Sequence, residues 1–259
     1  MANDLGGAMA AHDLAPTVVP EIVGRRFRRV DTRVVERSAS PADVPRDARP
    51  SPPRKFHIVD HPIAQHALTV LRNKHTPPDR FRWASNQLLA MLAWEATRTL
   101  PLREEAVETP HADHVGRALA RPVVFLALTR HGLGLAHNIA DVIPEVSVGA
   151  VSLERPHRDQ PIEPRLHLIS APSLDTVRIF LFEPVVSGGL SATLALNHLR
   201  RSGATDIALL SFVVSSPGLE AVLADVPDVT VWTAAVDPEW DPKRGTIPGL
   251  GDFAGRLYG

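Results

Sequence analysis

From Ile63 onward the apolar positions of the chain fall first into helical stripes and then into alternating strand and helix patterns. Ile63, Ala67, Val70 and Leu71 are spaced i, i+4, i+7 and i+8, which predicts a helix. Phe81, Ala84, Leu88, Met91 and Leu92 make a second stripe running toward Arg98 and ending before Pro101. Val123 to Thr129 is almost continuously apolar, as a strand buried on both faces would be. Leu133 to Val142 reads as a helix, Val146 to Leu153 as a strand and Val177 to Phe182 as another. After Phe182 come a helix from Ser191 to Arg201, a strand Ile207 to Val214, a helix Pro217 to Ala224 and a strand Val229 to Ala234. Strands separated by helices imply an α/β fold with a parallel sheet and right-handed crossovers. In such sheets a ligand sits outside the carboxyl ends of the strands. Arg130, Arg155, Glu183 and the 235–252 loop all follow predicted strand ends and are expected to converge.

Upstream of about residue 55 the pattern breaks down. Pro16, Pro20, Pro41, Pro45, Pro50, Pro52 and Pro53 punctuate a stretch with little periodicity. The segment Arg25-Arg26-Phe27-Arg28-Arg29-Val30 interleaves basic and apolar residues and suits a short strand or an arm embracing another subunit. Ser38 to Pro53 has the make-up of a linker.

Composition narrows the function classes. A net charge of −1 over 259 residues argues against a dedicated nucleic-acid binder. With no cysteine, disulfides, a thiolate nucleophile and a cysteine-rich zinc site are excluded. No apolar run reaches the ~20 residues that span a bilayer, and the N-terminus has no signal-peptide core, so a cytoplasmic location is expected. Twelve histidines invite a metal reading, but His111 and His114 have no second pair to complete a site, and His61 and His66 are five apart. Solvated or capping roles suit them better.

The segment Phe182 to Ala192 carries the most chemistry. A strand, an acidic residue, a small-residue loop (Ser187-Gly188-Gly189) and a helix N-terminus follow in order. Free N–H groups of such a loop and first turn face one hollow, where the helix dipole favours an anion. An acid just upstream can hold a metal or a ribose hydroxyl. A sugar phosphate is the expected ligand.

Several runs together resemble the uracil phosphoribosyltransferase family. They are His61 to Arg72, Glu95-Ala96-Thr97-Arg98, Val107 to Pro110, Arg130-His131-Gly132-Leu133-Gly134, Thr233 to Asp237, and Ile247-Pro248-Gly249-Leu250-Gly251-Asp252 through Arg256-Leu257-Tyr258-Gly259. The resemblance implies a type I phosphoribosyltransferase-like parallel sheet flanked by helices, with a small hood, over residues 57–259, preceded by an extension or arm at 1–56. It implies transfer of a phosphoribosyl group from phosphoribosyl pyrophosphate to a pyrimidine base, with Mg2+ assisting, in a homo-oligomer, most simply a dimer, without nucleic-acid or membrane partners. Glu183, Asp252 and Arg130 would be catalytic. Arg130 and Arg155 would hold the diphosphate, Glu183 and Pro184 would border the ribose, and Ser187, Gly188, Gly189, Leu190 and Ser191 would wrap the 5′-phosphate. Ala235, Ile247, Gly249, Gly251, Asp252 and Phe253 would meet the base, Asp252 lying between base and ribose phosphate.

The departures from the family gather in this site. The family loop reads Asp-Pro-Met-Leu-Ala-Thr-Gly-Gly-Ser, where this chain has Glu183-Pro184-Val185-Val186-Ser187-Gly188-Gly189-Leu190-Ser191. In ungapped register a threonine hydroxyl has become Gly188 and a glycine has become Leu190, which is strained if its φ must be positive. A one-residue slip would instead keep Ser187-Gly188-Gly189 as the cradle. Glu183 for Asp moves a carboxylate by roughly 1.5 Å. His131 and Pro156 replace a small and an acidic residue, and Phe253-Ala254-Gly255-Arg256 lacks the usual acid. Three functions stay open: a working uracil phosphoribosyltransferase, a relative with another acceptor or ribosyl phosphate, and a non-catalytic nucleotide sensor.

Overall fold

The computed structural model of the chain describes residues 56–154, 161–167 and 173–259, without the side chains of 129–131. The readings made on residues 1–55, on Arg155 and on Pro156 to Asp159 lie outside the described residues.

Seven strands form one path through the main sheet. These are β1 (Phe56–Ile58), β4 (Val123–Leu128), β5 (Ser147–Glu154), β6 (Glu163–His167), β7 (Arg178–Phe182), β9 (Asp206–Ser215) and β10 (Thr230–Asp237). Their order is β1-β10-β9-β7-β4-β5-β6, and the short β8 (Val185–Val186) joins β9. All pairings in this sheet are parallel except β5 with β6 at one edge. The chain leaves β4 for β5 on one side and later returns to β7 on the other. The strand order reverses at β4, and a crevice opens there at the carboxyl edge.

Helices cover both faces because the central strands are apolar throughout: every residue of β4 is buried. One face packs α1 (Pro62–Arg72), α2 (Pro78–Thr97), α3 (Thr129–Ala136) and the C-terminal α6 (Phe253–Tyr258); the other packs α4 (Leu190–Arg201) and α5 (Ser216–Asp225). Two antiparallel hairpins stand apart from the sheet: β2 (Leu102–Glu108) with β3 (Asp113–Leu119), and β11 (Glu239–Asp241) with β12 (Gly245–Ile247).

Local departures from the sequence pattern have physical causes. The buried stripe of α1 is Ala64, Ala67, Leu68 and Leu71, while Ile63 is exposed in the first turn. The helix begins there because the His61 ring accepts a hydrogen bond from the Ile63 N–H at 3.2 Å and Pro62 presets φ at the first position. The helix expected over 133–142 instead starts at Thr129 and gives way to a 3₁₀ turn at His137–Asp141. The β2–β3 hairpin has no apolar face to announce it, being almost wholly exposed; His111 and His114 lie in it, exposed.

Candidate phosphoribosyl site

The phosphate loop grows out of β7. After Phe182, the Glu183 N–H donates to Leu210 O and the Phe212 N–H to Pro184 O, each at 3.0 Å, so the chain stays bound to β9 as it turns outward. Ser187 to Gly189 then pass over the start of α5. There Ser215 donates its hydroxyl proton to Ser187 O and accepts from the Gly218 N–H at 2.9 Å, so one side chain caps α5 and anchors the loop. The approach is close: a Cβ added at Gly218 would lie 2.2 Å from Ser187 O.

Gly189 takes φ +81° at the N-cap of α4, and the helix starts at Leu190. The left-handed conformation thus falls on a glycine. Leu190 has helical backbone and escapes the strain expected for it; its side chain is 61% exposed at the mouth of the loop. Among the described residues no side chain caps α4, which leaves its first-turn amides open to an outside acceptor.

Two adjoining clefts meet at this loop. The first, of ≈ 340 Å³, is lined by Glu183, Val185, Ser187 to Ser191 and Trp240. The second, of ≈ 220 Å³, is lined by Val185, Ser187, Arg244, Gly245, Thr246, Gly251, Asp252, Phe253 and Ala254. Val185 and Ser187 belong to both, so a ligand with a phosphate at one end and a ring at the other can lie across them.

Glu183 supplies the charge chemistry of the first cleft. Its Oε2 is buried and has no hydrogen-bond partner among the described residues. Burial pushes its carboxyl pKa up to about 8. A buried carboxylate oxygen without a partner suits a hydroxyl donor or a cation brought by the ligand. Among the described residues no group of three or more His, Asp or Glu side chains gathers to hold a metal by itself.

The second cleft is bounded by the loop from Ile247 to Asp252, which two arginines hold from behind. Arg72 pairs with buried Asp237 at 2.6 Å and donates to Gly249 O at 3.1 Å, while Asp237 accepts from the Gly249 N–H at 2.9 Å. Gly249 needs φ +67°, and a Cβ there would lie 2.1 Å from Thr246 O. Arg256 donates to the carbonyls of Leu71, Leu250 and Asn73 and stacks over Phe81, its carbon 4.3 Å from the ring centre. Asp252 accepts from the Gly255 N–H at 3.1 Å, capping α6, and lines the cleft at the same time.

The structure therefore gathers Glu183, Ser187, Gly188, Gly189, Leu190 and Ser191 in one cleft, and Gly251, Asp252 and Phe253 in its neighbour. Pro184, Ala235, Ile247 and Gly249 are not among the lining residues of either cleft. Arg130 lies in the first turn of α3, following β4. Sequence reasoning gave no role to Arg72, Asp237 and Arg256, although all three stand in the motif runs. It also missed Ser215 and Gly218, whose Ser-Ser-Pro-Gly run is a helix-start signal, and Trp240, for which no local signal exists.

The fold and clefts define an α/β protein whose open helix start at the carboxyl side of the sheet suits a phosphorylated ligand. Comparison with known proteins narrows this class. The uracil phosphoribosyltransferase family model matches residues 58–259. A uracil phosphoribosyltransferase of Halalkalibacterium halodurans is 36% identical over 208 residues, covering 79% of this chain and 98% of that protein. That of Thermus thermophilus is 36% identical over 207 residues, covering 79% and 99%; that of Levilactobacillus brevis is 32% identical over 207, covering 79% and 98%. The solved structure of protein AQ2163 from Aquifex aeolicus shares the fold with a TM-score of 0.70 at 24% identity, over 78% of this chain and 97% of that one. The chain belongs to the uracil phosphoribosyltransferase family.

Proposed function

We propose that the protein, through its 57–259 domain, transfers the 5-phosphoribosyl group of phosphoribosyl pyrophosphate to N1 of uracil, giving UMP. The C1–oxygen bond to diphosphate breaks, the C1–N1 bond forms, and the N1 proton leaves. The observation that carries the reading is the pair of clefts sharing Val185 and Ser187, with anion-binding amides in one and the Gly251–Phe253 turn in the other.

In this reading the amides from Ser187 to Ser191 hold the 5′-phosphate and fix the ribose against the sheet edge. Ionised Glu183 accepts from a ribose hydroxyl and faces the positive charge that develops as diphosphate departs. Arg130 and Arg155 pair with the diphosphate oxygens, where a guanidinium fork matches phosphate geometry. Asp252 sits between base and ribose phosphate, and the backbone of the Ile247–Asp252 loop reads the base edge. Magnesium would be held by the diphosphate together with Glu183, where it would offset the leaving group's charge. A homo-oligomeric assembly belongs to the same reading.

The exposed Arg244 at the second cleft favours one variant of it, in which the acceptor carries an anionic substituent such as the carboxylate of orotate. The test is incubation of purified protein with phosphoribosyl pyrophosphate, magnesium and either uracil or orotate. UMP from uracil supports the main reading, and turnover of orotate alone supports the variant. UMP binding without turnover of any pyrimidine would make the protein a nucleotide sensor and sink both.

A further inference from the structure

Trp240 is a large apolar side chain left 41% exposed on the wall of the first cleft. Its strand is tightly held. Trp240 pairs with Thr246 across the β11–β12 hairpin, and Asp241 closes the turn by accepting from the N–H groups of Lys243 at 2.8 Å and Arg244 at 2.9 Å. The ring lies directly on the phosphate loop. A Cβ added at Gly188 would stand 3.0 Å from Cζ2, 3.1 Å from Cη2 and 3.4 Å from Cε2 of the indole. A side chain at 188 would therefore press on the indole at 240, which must give by a few tenths of an ångström to admit it. The loop is itself tied down beside the ring, because Ser215 donates to Ser187 O and a Cβ at Gly218 would stand 2.2 Å from that same oxygen.

We propose that Gly188 and Trp240 form a coupled pair in which the indole builds the wall of the phosphate cradle that a residue-188 side chain would otherwise build. Trp240 is then a positioning residue for the phosphoribosyl ligand. This rests on the function proposed above. In the ungapped register it explains why the cradle tolerates glycine at 188, where the family pattern has a hydroxyl side chain. It also explains an exposed tryptophan, since an apolar ring left in water forfeits ~25 cal/mol for each Å² that burial would remove. A direct consequence is that restoring threonine at 188 by itself damages the site.

The test compares Gly188→Thr, Trp240→Leu and the double variant, each checked for an unchanged melting temperature. Each single substitution is expected to raise KM for phosphoribosyl pyrophosphate by about tenfold, with kcat and KM for the base within about twofold. In the double variant the two effects do not multiply, and Trp240→Leu largely rescues Gly188→Thr. Independently of turnover, UMP titration is expected to change tryptophan fluorescence in the wild type and not in Trp240→Phe, in which the other three tryptophans remain. Multiplying effects, or an unchanged KM in Trp240→Leu, would overturn the pairing while leaving the enzyme assignment intact. Failure of wild-type protein to bind either phosphoribosyl pyrophosphate or UMP would remove the functional reading and this inference with it.

Discussion

Glu183 presents a carboxyl group to a cleft in which one of its oxygens has no partner among the described residues. Burial raises its folded pKa to about 8, against ~4.3 in an unfolded chain. The folded protein therefore holds this proton more tightly than the unfolded chain does. Below about pH 4 both states are protonated and the group is neutral in the balance. Between about pH 4 and 8 the unfolded chain ionises first, so stability falls as pH rises, and above 8 the loss is complete. The ligand-free protein should lose melting temperature across this window, and Glu183→Gln should flatten the slope. Affinity for phosphoribosyl pyrophosphate, which calls on the ionised form, should strengthen toward pH 8 in the wild type alone. Melting curves from pH 5 to 9 with and without ligand check both; a variant with the wild-type slope would remove Glu183 as the cause. An acid before a small-residue loop was legible in the sequence. Its burial was not, because that is set by long-range packing, such as the bond from the Glu183 N–H to Leu210 O of β9.

The two loops of the site are held by elements distant in sequence. The base-side loop hangs on α1 and β10 through Arg72 and Asp237, the latter only 1% exposed. Arg72→Ala would leave a buried carboxylate with one backbone N–H for company. It should cost on the order of 3 kcal/mol in denaturant unfolding and weaken base binding more than phosphoribosyl pyrophosphate binding. Equal losses for both ligands would mean that the pair supports the fold and not this loop in particular. The phosphate-side loop depends on Ser215 and Gly218 of α5. Here the sequence was informative about the elements and silent about the tie. The Ser-Pro start of α5 can be read locally, whereas a serine bridging to a carbonyl 28 residues away exists only once β9 lies beside β8.

At the scale of the whole molecule, an aromatic chain runs through the core and reaches the second cleft at Phe253. Phe182 packs on Phe212 at 5.2 Å between ring centres, Phe212 on Phe253 at 5.8 Å and Phe253 on Phe81 at 5.3 Å. These contacts join β7, β9, α6 and α2, and so couple the phosphate loop to the base-side turn. Phe212→Ala is expected to destabilise by about 3–5 kcal/mol in urea unfolding. It should also raise KM for the base, since Phe253, which packs on Phe212, lines the second cleft. A destabilised variant with unchanged KM values would show that the clefts are held by their own loops.

The hydrophobic periodicities alone determined the α/β class, most element positions and the meeting of loops at one edge, because burial on one or both faces writes its own period into the chain. The motif runs determined the family. Tertiary structure alone decided that Gly189 takes the left-handed turn, that Leu190 is unstrained and exposed, and that Trp240 occupies the space above Gly188. Those outcomes depend on which surfaces a folded sheet brings within a few ångströms, and contacts between segments dozens of residues apart leave no pattern in either segment.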